Sequence, residues 1–252
     1  MQSNWLALVI GNSRLHWASF IDGSLGQTWD TIHCTPDSLA ALPSDLVVLL
    51  QQELELWLAS VVPAQTAAWQ ALPRTHLITL DQVPLKEMYP TFGIDRALAL
   101  WGAITHVGSP ALVIDAGTAL TFTGANDRQQ LVGGGILPGL RLQWQTLHQG
   151  TAALPGMDGF WPDTVLPPRW ARSTPEAIAS GVLYTVLAGL QDWIRDWLTC
   201  YPDSQVVMTG GDSDRLIPLL HRNAPNLTRR LRGEPDLIFW GIQSVRRLQD
   251  RT

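Results

Sequence analysis

Apolar and mixed stretches alternate along this chain in a way that predicts strands and helices in turn. "WLALVI" (5–10) is a continuous apolar run of strand length. "LHWASFIDGSLGQTW" (15–29) continues as strand, turn and strand, with Asp22-Gly23 at the hairpin bend. "DSLAAL" (37–42) and "QQELELWLA" (51–59) read as helical pieces around the apolar run "DLVVLL" (45–50). "ASVVP" (59–63) is a short strand closed by proline, "AQTAAWQAL" (64–72) is helical, and "THLITL" (75–80) is a strand. Alternation of this kind predicts an α/β domain with a sheet that is at least partly parallel.

"FGIDRALALWGAITHVG" (92–108) is a helix after a loop, and Gly108-Ser109-Pro110 ends it. That tripeptide is the best boundary, giving domains 1–109 and 110–252. Beyond it the opening pattern returns. "LALVIGNSRLHWASF" and "ALVIDAGTALTFTGA" (111–125) both run an apolar strand into a small-residue turn and a second strand, which suggests a duplicated fold. "QLVGGGILPGLRLQWQTLHQGTAALP" (130–155) reads as a glycine-rich loop entering a helix. A long helix follows over 173–198, with Ser173 or Thr174 as N-cap and Glu176 placed for a capping box. Gly181 inside it suggests close packing or ligand approach. "QVVMTGGD" (205–212) is a strand ending in a Gly-Gly turn, and "PDLIFWGIQSVRRLQD" (235–250) is a strand and helix.

Composition narrows the class. The 252 residues are 46% hydrophobic and 15% charged, enough for a sizeable core, and the net charge of −5 argues against a nucleic-acid groove. Two cysteines, Cys34 and Cys200, are too few for a disulfide framework and read as reduced, mostly buried thiols. The six histidines show no metal spacing. Among the twelve tryptophans, Trp193 and Trp197 lie four apart on one helix face and read as core. No signal-peptide pattern is present and no apolar run approaches the ~20 residues of a membrane span, so a cytoplasmic protein is expected.

Three strand ends open into small-residue turns: Gly11-Asn12-Ser13, Asp115-Ala116-Gly117-Thr118 and Thr209-Gly210-Gly211. Glycine lets backbone approach a phosphate, and Ser or Thr offers it a hydroxyl. Three such turns in a duplicated α/β chain point to a nucleotide's phosphates held in a cleft between domains, without P-loop or GxGxxG spacing. Asp115 interrupts an apolar strand just before its turn, where a carboxylate holds hydrated Mg2+ against phosphates or simply forms an Asx turn. Asp95-Arg96 opens a helix. Asp95 is a cap or a base for a substrate hydroxyl, and Arg96 suits an anionic substrate group. Tyr89 lines the same pocket or packs in the core.

The ordered set "IGNSR", "GIDRALAL", "VIDAGTALTF", "GGGILPGL", "STPEAIASG", "VVMTGGD" and "PDLIFWGI" resembles type III pantothenate kinase, a family related to the Bvg accessory factor proteins. The resemblance runs from about residue 5 to 245. It implies the actin-like, sugar-kinase superfamily fold, two ribonuclease-H-like domains with ATP between them, and a homodimer whose interface helps to form the pantothenate site. The implied reaction phosphorylates pantothenate from ATP, the first step towards coenzyme A, with Mg2+ and a monovalent cation (K+ or NH4+). By motif, Asp95 matches the base and Arg96 its companion in the pantothenate site, with Tyr89, Gly93 and Thr174 in pantothenate-contacting segments. Gly11, Asn12 and Ser13 match the first phosphate motif. Asp115, Gly117 and Thr118 match the second, and Gly210 and Gly211 fall on the adenosine side.

One position departs from the pattern. The family's first motif usually begins with aspartate two residues before its glycine, and here that residue is Val9. Valine offers a cation no oxygen. An active kinase therefore stands beside two alternatives: a ligand-binding or regulatory relative that has lost catalysis, and a superfamily kinase with another small acceptor.

Overall fold

β1 (Trp5–Ile10) is buried along its whole length because it lies in the middle of a sheet. It pairs antiparallel with β2 (Leu15–Ile21), which pairs with β3 (Ser24–Thr31). α1 (Ser44–Gln51) leads to β4 (Glu55–Ser60), parallel to β1, and α2 (Pro63–Gln70) leads to the short β5 (Thr75–Leu77). α3 (Ile94–Val107) closes this half. The computed structural model describes residues 4–156 and 165–250.

The second half repeats the order. β6 (Ala111–Ala116), β7 (Ala119–Ala125) and β8 (Leu131–Pro138) form the meander, and α4 (Leu140–Gly150) and α5 (Thr174–Cys200) follow. β9 (Gln205–Thr209) lies parallel to β6, and α6 (Ser213–Asn223) leads to β10 (Leu231–Gly233). The sheet orders are β3-β2-β1-β4-β5 and β10-β9-β6-β7-β8, the same arrangement read in opposite directions. The repeat seen at the two opening hairpins thus extends to both sheets.

α7 (Leu237–Gln249) departs from the expected boundary. One compact unit runs to His106 and resumes at Leu237, and the other is Val107–Asp236. The closing helix therefore belongs with the first unit rather than with a 110–252 domain. Backbone contact explains its return. A Cβ on Gly102 of α3 would collide with the Leu237 carbonyl oxygen, and one on Gly241 of α7 with the Leu98 carbonyl oxygen. The Trp101 indole N–H donates to Ser244 Oγ at 3.0 Å, and Gln243 Nε2 donates to the Gly23 carbonyl at 2.7 Å.

Alternation along β1 supplies two layers. Leu6, Leu8 and Ile10 pack with Leu46, Leu58 and Trp69 on one face, each large apolar side chain contributing about 1.5–3 kcal/mol by leaving water. On the other, Trp5 stacks on Phe20 at 3.9 Å, and the Arg246 guanidinium of α7 lies 5.2 Å over the Trp5 ring. Arg246 also pairs with Glu55 at 3.0 Å.

Three local readings change. "DLVVLL" is helical and "ELWLAS" is the strand, because Leu46, Leu49 and Leu50 meet the core at helical spacing while Leu56 and Leu58 share a strand face. The expected glycine-rich loop is strand β8, antiparallel to β7. Its glycines make room for α5: a Cβ on Gly135 would lie 2.9 Å from the Trp193 ring, and one on Gly124 of β7 would strike the Trp197 ring. Gly181, in contrast, meets nothing within 4 Å. Ser173 holds the N-cap position, but its hydroxyl donates to Glu176 Oε2 at 2.8 Å and makes no capping box.

The tryptophans mostly anchor layers by both ring and N–H. Trp17 and Trp69 are fully buried and cross edge-on at 4.9 Å, donating to Thr31 Oγ1 and the Cys34 carbonyl. Trp197 donates to Ser204 at 2.7 Å, whereas Trp193 is 40% exposed and stacks on Phe122. Trp161 lies outside the described residues. Of the thiols, Cys34 is half-buried, with its pKa pushed up by burial, and Cys200 is exposed. By length and composition α5 suffices to cross a membrane, a departure from the sequence reading, yet half of its most apolar window is buried inside the unit.

Two stability predictions follow from this packing. Gly102→Ala meets backbone rather than a yielding side chain and should cost at least about 2 kcal/mol in urea unfolding, whereas Gly181→Ala should be neutral or stabilise by up to about 1 kcal/mol. Burial alone would raise the Glu55 carboxyl, but the Arg246 hydrogen bond and charge outweigh it and hold it below its ordinary 4.5. A carboxyl lowered on folding adds stability above its unfolded pKa and loses that contribution as pH falls through the folded value. Unfolding titrations at about pH 7 and about pH 3 should therefore show a smaller acid loss for Glu55→Gln than for wild type.

Candidate active site

On the first unit, the segment entering α3 and the first turn of that helix gather four of the singled-out residues. Tyr89 is exposed and its ring meets the buried Phe92 edge-on at 5.2 Å, while the Phe92 N–H closes a turn to the Tyr89 carbonyl at 2.9 Å. The Arg96 guanidinium lies 4.9 Å from the centre of the Phe92 ring and donates from Nη1 to the Tyr89 hydroxyl at 3.1 Å. An arginine held over an aromatic face by a hydrogen bond loses little further freedom when it meets an anion.

Asp95 stands in the first turn of α3, where a carboxylate is favoured by the helix dipole. Its Oδ1 accepts the Arg96 backbone N–H at 2.8 Å. Gly93 stands beside it: a Cβ there would lie 2.5 Å from that oxygen and would turn the carboxylate aside. Tyr89, Gly93, Asp95 and Arg96 thus form one constellation. Thr174, matched by motif to the same substrate, is exposed at the start of α5 on the other unit.

The first small-residue turn follows β1. The Gly11 N–H donates to the Arg14 carbonyl at 3.0 Å, and Asn12 and Ser13 are exposed on the loop it closes. Val9 is only 4% exposed, so the residue in the acid's position is part of the core.

On the second unit, three turns stack. A Cβ on Gly139 would collide with the Gly117 carbonyl oxygen and lie 2.7 Å from that of Thr118. Gly210 has φ +88°, and a Cβ there would collide with Asp115 Oδ1 and lie 2.6 Å from the Ala116 carbonyl carbon. The Gly139 N–H donates to the Thr118 carbonyl at 2.9 Å, and the Asp212 N–H to the Ala116 carbonyl at 2.9 Å. Asp115, Gly117, Thr118 and Gly210 are thereby brought together, with Gly211 exposed next to them.

Asp115 lies half-buried at the end of β6, its Oδ1 where a Cβ on Gly210 would collide and 3.3 Å from where one on Gly117 would stand. Among the described residues no three His, Cys, Asp or Glu side chains assemble into a metal cage. One strand-end carboxylate suits Mg2+, which takes one or two protein carboxylates and completes its octahedron with substrate phosphates and waters.

Some neighbours were not singled out from the sequence. His16 Nδ1 is 2.5 Å from Asp30 Oδ1, and His33 Nε2 is 2.8 Å from the Gly11 carbonyl, both beside the first turn. The hydrogen bond from His16 pulls the Asp30 carboxyl below its usual range. Asp212 starts α6 beside the second cluster. Burial pushes its carboxyl up, and Arg215 at 3.6 Å offsets this in part. The Gly-Gly-Asp spacing held a signal for Asp212, but nothing local marks His33.

The type III pantothenate kinase family model matches residues 5–196. The chain belongs to the type III pantothenate kinase family. A type III pantothenate kinase from Nostoc sp. is 47% identical, over 97% of this chain and 95% of that protein. A solved Baf family protein from Campylobacter jejuni, 17% identical, superposes with TM-score 0.65 over 98% of this chain and 100% of its own. A structure from Sinorhizobium meliloti assigned as a 2-dehydro-3-deoxygalactonokinase, 11% identical, gives TM-score 0.56 over 97% of this chain and 96% of its own. At these identities the structures speak for the fold, which is the actin-like, sugar-kinase fold.

In this family member the left-handed Gly210 is the most constrained position of the second cluster. Gly210→Ala should lower stability by at least about 2 kcal/mol, because strain adds to a backbone collision, while exposed Gly211→Ala should stay within about 0.5 kcal/mol; thermal unfolding of the two variants checks this.

Proposed function

We propose that this chain transfers the γ-phosphoryl group of ATP to pantothenate, making 4′-phosphopantothenate for coenzyme A synthesis. The observation that carries the reading is the Tyr89–Phe92–Gly93–Asp95–Arg96 constellation in a chain of this family. The substrate hydroxyl oxygen bonds to the γ-phosphorus as the bond from that phosphorus to the ADP oxygen breaks. The hydroxyl proton passes to Asp95, whose Oδ1 is engaged by the Arg96 N–H and whose Oδ2 is assigned to the substrate. Arg96, fixed by Tyr89 and Phe92, meets the pantothenate carboxylate.

The phosphates are assigned to the Gly11-Asn12-Ser13 and Gly117-Thr118 turns, and the adenosine to Gly210 and Gly211. Asp115 is the protein ligand for Mg2+, which when bound neutralises charge building on the phosphoryl oxygens. Thr174 as a pantothenate contact, K+ or NH4+ as activating cation, a homodimer and a cytoplasmic location belong to the same proposal. They are supported by the resemblance of the motifs. The kinase is favoured over a ligand-binding relative because Asp95, Arg96 and Asp115 are all in place. Val9 is the observation on the other side.

Purified protein with ATP, Mg2+ and K+ should phosphorylate pantothenate. No product from folded protein at high ATP overturns the reading. Asp95→Asn should lower turnover about 10²- to 10⁴-fold while ATP affinity stays within about threefold. Equal loss of both would make Asp95 structural.

A further inference from the structure

Strand register places a histidine–aspartate pair where the first turn lacks its acid. Val9 on β1 faces His16 on β2, and His16 faces Asp30 on β3, so the three lie in one row across the sheet. Directly paired residues project to the same face. The row thus reads apolar, basic, acidic, beside the mouth of the Gly11–Arg14 turn.

The pair has a defined chemistry. An ionised carboxylate only accepts, so the 2.5 Å contact to Asp30 Oδ1 puts a proton on His16 Nδ1. The other nitrogen, Nε2, is directed at the turn and lies 3.4 Å from where a Cβ on Gly11 would stand. Behind the turn, His33 donates from Nε2 to the Gly11 carbonyl, which has no proton to give. One imidazole thus bonds the turn's backbone and a second lies beside it, while its exposed side carries Asn12, Ser13 and Arg14. The His16 side chain is 40% exposed, which leaves room for a ligand beside the ring.

We propose that His16, oriented by Asp30, is a direct ligand of the nucleotide's phosphates at the first turn; this rests on the assignment of that turn to ATP. An aspartate at position 9 would reach phosphate through a cation. Val9 removes that route; a ring set between the Asp30 carboxylate and a bound phosphate oxygen, two acceptors, donates to both, Nδ1–H to the one and Nε2–H to the other. Asp30 accepts the Nδ1 proton and keeps the ring aimed, which makes it a positioning residue. Arg14 adds positive charge from the turn itself, and His33 fixes the backbone beneath.

Equilibrium binding of ATP and of adenosine to the intact chain tests this, with turnover measured separately. His16→Gln keeps an amide donor for Asp30 but no second donor across a ring for the phosphate. It should weaken ATP about tenfold or more and leave adenosine within about twofold. His16→Lys, which supplies a cationic donor, should recover most of the ATP affinity. Asp30→Asn should weaken ATP by a smaller factor in the same direction. At saturating ATP, the pantothenate KM of His16→Gln should be unchanged, with the loss confined to the ATP KM. Unchanged ATP affinity in His16→Gln, or parallel loss of ATP and adenosine, overturns the inference. If wild type binds ATP but yields no phosphopantothenate, the kinase reading falls, and the ATP-to-adenosine ratio still decides the role of His16. If wild type binds no ATP, both fall.

Discussion

Backbone packed against backbone, with no Cβ between, is the constraint on which the second unit's site depends. Gly139 and Gly210 press the turns after β8 and β9 onto the turn after β6 from two directions. Their contact holds Asp115 at the strand end, with no cage of other acids around it among the described residues. A larger residue at either place would have to move main chain, and main chain here carries the hydrogen bonds that close the turns. The geometry of the turn backbone and the placing of the carboxylate are therefore a single packing problem.

The first unit solves its problem differently, with side-chain charge anchored on aromatic rings. Arg96 over Phe92 and Arg246 over Trp5 are both guanidinium groups spread on a ring and tied by a hydrogen bond, one to Tyr89 and one to Glu55. Such anchoring restricts a flexible side chain before any ligand arrives. Arg246 is used for cohesion and is nearly buried, whereas Arg96 is half-buried and presents its charge at the head of α3.

Much of this was legible in the sequence. The paired openings "IGNSR" and "DAGT" announced two similar halves, and the acid inside an apolar strand marked Asp115. What stayed hidden depended on partners far along the chain. "DLVVLL" and "ELWLAS" are both short apolar runs, and only the neighbour each meets decides helix or strand. The glycines of β8 look like a loop until the α5 tryptophans are laid across the sheet. His16 and Asp30 are fourteen residues apart and become a pair only through the β2–β3 register. The roles of Asp95, Arg96 and Tyr89 were suggested by motif, while the contact of Arg96 with Phe92 needed the fold.

The return of α7 to the first unit bears on how the chain is made. Val107–Asp236 is one uninterrupted segment, whereas the first unit is split around it. A ribosome releases every residue of the second unit before it has synthesised the helix that completes the first. The N-terminal half must therefore wait, with the α7-facing surface of α3 uncovered, through synthesis of the whole intervening unit. In order of completion, the unit that begins the chain finishes last.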